Sequence, residues 1–189
     1  MSQQLETDRL ILRNWLASDY EPFYALNSDP EAMRYFPLPY TRAQSALLAD
    51  KCQALIQQRG WGLWAVSKKE DEAFIGFVGL HKPNANIPCS PCVEVGWRLL
   101  PQYWGNGFAT EGAKKALEYA FNELALPEVV SFTSKTNQPS QAVMARVGLQ
   151  DSLNNFIHPD IAPDHPLAEH VLYRITRNAW LDQTRQSVK

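Results

Sequence analysis

Apolar and polar positions along this chain repeat with two different periods, and the changes of period predict a series of short strands and helices. Arg9-Leu10-Ile11-Leu12-Arg13 is a brief apolar run of strand type. Ser18-Asp19-Tyr20-Glu21 has the spacing of a capping box, and Thr41-Arg42-Ala43-Gln44 repeats it, so each predicts a helix start. Behind the second box, Leu48, Cys52, Leu55, Ile56 and Arg59 fall at helical spacing and Gly60 supplies the stop. Trp61 to Ser67 and Ala73 to Leu80 read as two strands around the charged turn Lys68-Lys69-Glu70-Asp71. Pro83, Pro88 and Pro91 then mark a loop, and strand character returns from Val93 to Leu99.

The second half continues the alternation. Ala109, Ala113, Ala116, Leu117, Ala120, Phe121 and Leu124 make one helical stripe. Val129 to Thr133 reads as a strand, Gln138 to Val147 as a short helix closed by Gly148, and His170 to Ile175 as a late strand before a terminal helix. No repeat or long linker divides the chain. The proline-bearing stretch from Ile157 to Pro166 reads as a functional loop. Such alternation predicts a mixed α/β sheet, and 189 residues suit one domain, 1–189.

Composition narrows the partners. A net charge of −2 without a run of like charges gives no electrostatic basis for binding nucleic acid or a membrane surface. The first residues lack the basic and apolar segments of a signal peptide, and no apolar window approaches a spanning helix. Three cysteines, Cys52, Cys89 and Cys92, form no disulfide framework, so a reduced cytoplasmic setting is the expectation. Cys89-Ser90-Pro91-Cys92 has no second Cys pair to complete a zinc site, and it leads into a strand, where a thioredoxin-like motif would open a helix. His158, His165 and His170 form no metal signature, and no metal is expected.

Candidate chemistry concentrates between Glu94 and Glu111. A strand ends near Leu100, a turn holds Gly105 and Gly107, and a helix opens near Ala109. That order leaves free backbone N–H groups at a helix N-terminus, where an anion is favoured. Thr110 stands where a dinucleotide fingerprint needs its third glycine, and the Gly-Lys-Ser/Thr of a nucleotide-triphosphate loop is absent. On the glycine pair alone, phosphate binding and an ordinary tight turn both remain open.

Gln102-x-x-Gly105-x-Gly107, between a strand and an Ala-rich helix, resembles the acetyl-CoA loop of the GNAT acetyltransferase superfamily. Glu94-Val95-Gly96-Trp97 and Phe108-Ala109-Thr110-Glu111-Gly112 resemble its flanks. Asn137-x-x-Ser140 and Arg146-Val147-Gly148-Leu149 resemble the second half of the cofactor site. The opening from Leu5 to Arg13 resembles the first strand of the RimJ/RimL-type branch. In order, these segments span nearly the whole chain.

The resemblance implies an α+β fold: a twisted mixed sheet of about six to seven strands, helices on both faces, and a splay between the fourth and fifth strands. It implies transfer of acetyl from acetyl-CoA to a primary amine, on a protein N-terminus or a small molecule, by direct attack in a ternary complex. A non-catalytic acyl-CoA-binding regulatory module is the alternative. Either a monomer or a homodimer is compatible. The implied cofactor contacts are Trp97, Leu99, Gln102, Tyr103, Trp104, Gly105, Asn106, Gly107, Phe108, Ala109, Asn137, Ser140 and Arg146. Exposed backbone groups of Trp97 and Leu99 would pair with pantetheine, and Asn137 would bind a pantetheine amide or cap its helix.

Glu94 reads as a general base for the incoming ammonium or as a surface residue at a strand edge, and its flanking valines favour the former. Met144 stands where many relatives carry a Tyr that protonates the CoA thiolate. Ser140 is then the hydroxyl placed by spacing to assist, beside the simpler reading that it faces pantetheine. Tyr35, Phe36 and His158 are candidate acceptor contacts, with core packing and loop structure as the plainer alternatives.

Overall fold

The computed structural model describes residues 4–84 and 86–186. The chain divides into two compact units: one runs up to Leu80 and includes Gly96–Lys115, the other comprises His81–Val95 and the chain from Ala116 onward.

The first unit opens with β1 (Leu5–Glu6) and β2 (Leu10–Arg13), and then α1 (Tyr20–Ser28) and α2 (Arg42–Arg59) precede β3 (Leu63–Lys68) and β4 (Phe74–His81). Successive strands from β1 to β4 pair antiparallel, and β5 (Glu94–Leu99) follows β4 in the strand order. The alternation in β2 works as the sequence predicts, with Leu10 and Leu12 fully buried and Ile11 and Arg13 half-buried. Phe23 packs edge-on against Trp15, with ring centres 4.6 Å apart, and against Phe77 at 5.9 Å.

The two capping boxes part company. Thr41 accepts the Gln44 N–H at 3.3 Å, and the Gln44 side chain accepts the Thr41 N–H at 2.8 Å. Ser18 caps nothing. A 3₁₀ turn over Ala17–Asp19 leads into α1, and buried Asp19 accepts the Leu16 N–H at 2.8 Å and the Arg13 guanidinium at 2.7 and 2.9 Å. A charge-paired Asp outcompetes a neutral Ser for the first-turn amide.

α3 (Phe108–Asn122) begins in the first unit and ends in the second. The second unit continues with β6 (Glu128–Ser134), α4 (Gln138–Arg146), β7 (Gln150–Asp151), β8 (Phe156–Ile157), β9 (Glu169–Thr176) and α5 (Arg177–Gln186). β6 pairs antiparallel with β9 along Glu128–Ser134, while β7 and β8 pair with separate stretches of β9. The apolar stripe of α3 buries Ala116, Leu117, Ala120 and Phe121, and Trp180 of α5 lies 5.4 Å from the Phe121 ring. Glu94 at the start of β5 pairs parallel with Val130, which makes the sheet mixed.

Nine strands occur among the described residues, against about six to seven expected; β1, β7 and β8 are two-residue pairings too short to leave a periodic signal. No described helix is long and apolar enough to cross a membrane.

Candidate functional site

In the first unit, the loop between β5 and α3 is braced through its carbonyls. The Asn106 side chain donates to the Tyr103 and Trp104 carbonyls, and Glu111 N–H donates to the Gly107 carbonyl at 3.0 Å. Arg9 donates to the Asn106 carbonyl at 3.0 Å, pairs with Glu111 at 2.6 Å, and lies 4.5 Å over the Phe108 ring. Among the described residues, the amides of Gly105, Asn106 and Gly107 have no recorded acceptor. Gly105 and Gly107 adopt φ of 76° and 79°, and a Cβ at 105 would meet nothing within 4 Å. A turn with engaged carbonyls, free amides and an open approach at a helix N-terminus fits a phosphate or pyrophosphate. Gln102 and Tyr103 lie in the 3₁₀ turn Pro101–Tyr103 that leads into the loop, and Phe108 and Ala109 open α3.

Trp97 is half-buried on β5, and Leu99 is buried. The Leu99 carbonyl already accepts the Trp104 indole N–H at 2.7 Å, leaving one lone pair for any further donor. Tyr35 is half-buried and Phe36 exposed. Both rings carry an arginine: Arg34 lies 4.9 Å over Tyr35, and Arg98 lies 4.0 Å over Phe36. Arg98, which the sequence marks only as a strand residue, also faces Phe77 at 5.4 Å and Tyr40 at 5.9 Å, and donates to Asn27. Burial pushes its guanidinium down to about 10. Its aromatic partners are scattered from position 36 to 77, so spacing alone carried no signal for it.

In the second unit, Glu94 is 7% exposed. Burial pushes its carboxyl up to about 8, opposed by a hydrogen bond from the Phe132 backbone N–H. This hydrogen bond has a structural origin. Val130 N–H donates to the Val93 carbonyl at 2.9 Å, so the next amide on that side of β6 is Phe132. There the carboxylate replaces a strand carbonyl as acceptor, at the point where the recorded β5–β6 pairing stops among the described residues. His81 Nε2 stands 3.3 Å from Glu94 Oε2. Nothing in the 13-residue separation of His81 and Glu94 along the sequence announces the pair.

Asn137 caps α4, accepting the Ser140 N–H at 3.3 Å and donating to Thr133 Oγ1 at 2.9 Å and Ser140 Oγ at 3.1 Å. Met144 is buried in the core and Arg146 is exposed. His158 lies in the loop after β8; its Nδ1 accepts the Asp160 N–H at 3.2 Å, and its ring centre is 4.9 Å from that of His170. Burial lowers both imidazoles, His170 to about 4. Cys89 and Cys92 bring their sulfurs to 3.4 Å as free thiols, and burial first, then Cys89, push Cys92 up to about 12. Among the described residues no group of three or more His, Cys, Asp or Glu is placed to hold a metal.

Known proteins resemble this chain in sequence and in fold. The family model described as an acetyltransferase (GNAT) domain matches residues 9–150. The FsC-acetyl coenzyme A-N(2)-transacetylase of Aspergillus fumigatus is 35% identical over 172 residues, covering 86% of this chain and 72% of that protein. An acetyltransferase of the GNAT family from Bacillus anthracis superposes with a TM-score of 0.77 at 22% identity, covering 93% of this chain and 99% of that one. RimL, a ribosomal-protein α-N-acetyltransferase solved with coenzyme A, superposes with a TM-score of 0.73 at 16% identity, covering 94% and 99%. At those identities the two structures establish the shared fold. The family model and the fungal relative go further: this chain belongs to the GNAT acetyltransferases and is an N-acetyltransferase, an acyltransferase enzyme.

Proposed function

We propose that the chain transfers acetyl from acetyl-CoA directly to a primary amine, on a protein N-terminus or a small molecule, in a ternary complex with no covalent enzyme intermediate. The observation that carries this reading is the buried Glu94 carboxyl, held by the Phe132 N–H and raised to about 8. A carboxylate of that basicity suits removal of a proton from an ammonium near neutral pH. Ammonium groups titrate at roughly 8 for an α-amine and 10 for a lysine, so a base of ordinary acidity would take the proton poorly.

Acetyl-CoA supplies the thioester electrophile; the chain's residues bind and orient it and move protons. The free amides of Gly105, Asn106 and Gly107 fit its pyrophosphate, with Gln102, Tyr103, Trp104, Phe108 and Ala109 completing the loop. Backbone groups of Trp97 and Leu99 offer contacts to pantetheine, and exposed Arg146 offers a cation to the nucleotide end. Asn137 and Ser140 serve by ordering the α4 cap, since their polar atoms are engaged with each other. Ser140 Oγ accepts the Asn137 amide and keeps its own O–H, which can hydrogen-bond the departing thiolate, while the proton itself reaches the sulfur through water. Tyr35, Phe36 and His158 contact the acceptor.

The family match runs through both compact units, which supports reading 1–189 as one acetyltransferase domain. The opening from Leu5 to Arg13 supports the RimJ/RimL-like branch. Three free thiols support a reducing, cytoplasmic setting.

Thiol release from acetyl-CoA, measured over a panel of amino acids, polyamines and peptides with free N-termini, tests the reading. Transfer to at least one amine is expected, with Glu94→Gln slowing it by roughly 10²–10⁴ while acetyl-CoA affinity holds. Acetyl-CoA binding with no turnover on any amine would instead establish a non-catalytic acyl-CoA-binding module.

A further inference from the structure

Acetylation of an ammonium must dispose of two protons. The nitrogen arrives as R–NH₃⁺ and leaves as an amide carrying one hydrogen, and the thiolate of coenzyme A takes up one of the two. The other has to reach solvent. On the reading that Glu94 is the base, the first acceptor of that proton is a carboxyl group with a side-chain exposure of 9%, poorly placed to pass it to water itself.

We propose that His81 relays this proton, so that Glu94 and His81 act as one base with a solvent-facing outlet. The imidazole ends β4 with Nε2 at 3.3 Å from Glu94 Oε2, and its side chain is 34% exposed. In the transfer the Glu94 O–H bond breaks and an Nε2–H bond forms, regenerating the carboxylate and leaving an imidazolium. The same nitrogen then gives the proton to water, because Nδ1 is buried. His81 is therefore a ferry between carboxyl and solvent, and it does not touch the acceptor amine.

The other groups facing Glu94 cannot take this role. From the loop before β5, Cys92 interacts electrostatically with the carboxylate, but its thiol is pushed up to about 12 and is engaged with Cys89 at 3.4 Å. From β6 the contact is the Phe132 backbone N–H, a donor with no proton to exchange at neutral pH.

This inference rests on the acetylation reading, and two measurements keep the two separable. In the first, ¹⁵N-histidine NMR follows the His81 titration in wild type and in Glu94→Gln. Two titrating groups in contact report on each other, so the wild-type His81 curve should carry an inflection from the Glu94 titration near 8 that Glu94→Gln removes; identical His81 curves in the two proteins overturn the pairing.

In the second, acetyl-CoA turnover is measured with the best amine from a panel of spermidine, lysine and a Ser-initiated tripeptide. His81→Ala should lower kcat about tenfold or more, and added imidazole should restore most of it. His81→Asn, which keeps a side-chain amide but cannot carry a proton, should stay slow. Affinity for acetyl-CoA should be unchanged in both, which also certifies that they fold. A wild type that turns over beside a His81→Ala that loses nothing, or that imidazole fails to restore, overturns the relay alone. A wild type that transfers to none of these amines overturns the acetylation reading and the relay with it.

Discussion

A carboxyl group between two valines is an ordinary strand residue until its surroundings decide whether it can ionise. Its position in the chain made Glu94 legible as a candidate base, but its partners were not: the Phe132 amide, the His81 imidazole and the Cys92 thiol all depend on how the chain folds back. The raised value has a thermodynamic consequence that can be measured apart from catalysis. Below pH 4.5, the ordinary carboxyl value, Glu94 is protonated in both the folded and the unfolded chain. Between 4.5 and about 8 the unfolded chain ionises while the folded one keeps its proton, so this group's contribution to stability falls steadily and levels off above 8. Glu94→Gln removes the titration. Thermal melts should show the variant gaining on wild type as pH rises from 5 to 9. A difference independent of pH would show that Glu94 ionises normally in the fold. In turnover the same group predicts a rate that climbs with pH toward about 8, an acid limb that Glu94→Gln abolishes.

At the scale of elements, what sequence reveals depends on how local the cause is. The Thr41 box, the stripe of α3 and the glycine turn before it are set within a few residues, and all were readable. Arg9 was not, because its ties to Asn106 and Glu111 reach across 97 and 102 positions. Ser18 misled for a related reason: Arg13 and Asp19 form a charged pair that takes over the first turn. Arg9 makes the loop testable in two ways. Gly107→Glu puts a negative side chain where the anion should sit, at a φ that only glycine adopts easily, and acetyl-CoA binding should be lost. A Cβ there stands 3.6 Å from Arg9, so the fold itself should survive. Arg9→Ala leaves the amides in place but frees the Asn106 carbonyl, and affinity for acetyl-CoA should fall about three- to tenfold. Calorimetry on both variants decides. Unchanged affinity in a folded Gly107→Glu would remove the loop from the cofactor site.

For the molecule as a whole, the order of strands and helices followed from periodicity, because each long element buries a face of its own. The two-residue strands β1, β7 and β8 did not, since they exist only as neighbours of β2 and β9. Close approaches of one backbone to another were equally invisible. Gly76 reads in the sequence as one more residue of an apolar strand. In the structure it lies opposite Val66, where the β3–β4 register shifts, and holds φ at 139°. A Cβ there would collide with the Arg98 carbonyl oxygen and stand 2.8 Å from the Leu99 Cα, and neither backbone atom can swing aside. Gly96 on β5 is the natural control, because a Cβ there meets nothing within 4 Å and its φ is not positive. Gly76→Ala should therefore cost about 3 kcal/mol or more, from backbone strain together with overpacking. Gly96→Ala should stay within about 0.5 kcal/mol of wild type. Urea unfolding of the two variants side by side measures the difference. Equal stabilities would mean that β4 and β5 can move apart to admit a methyl group, and the tight strand contact at Gly76 would not be what fixes β5 in place.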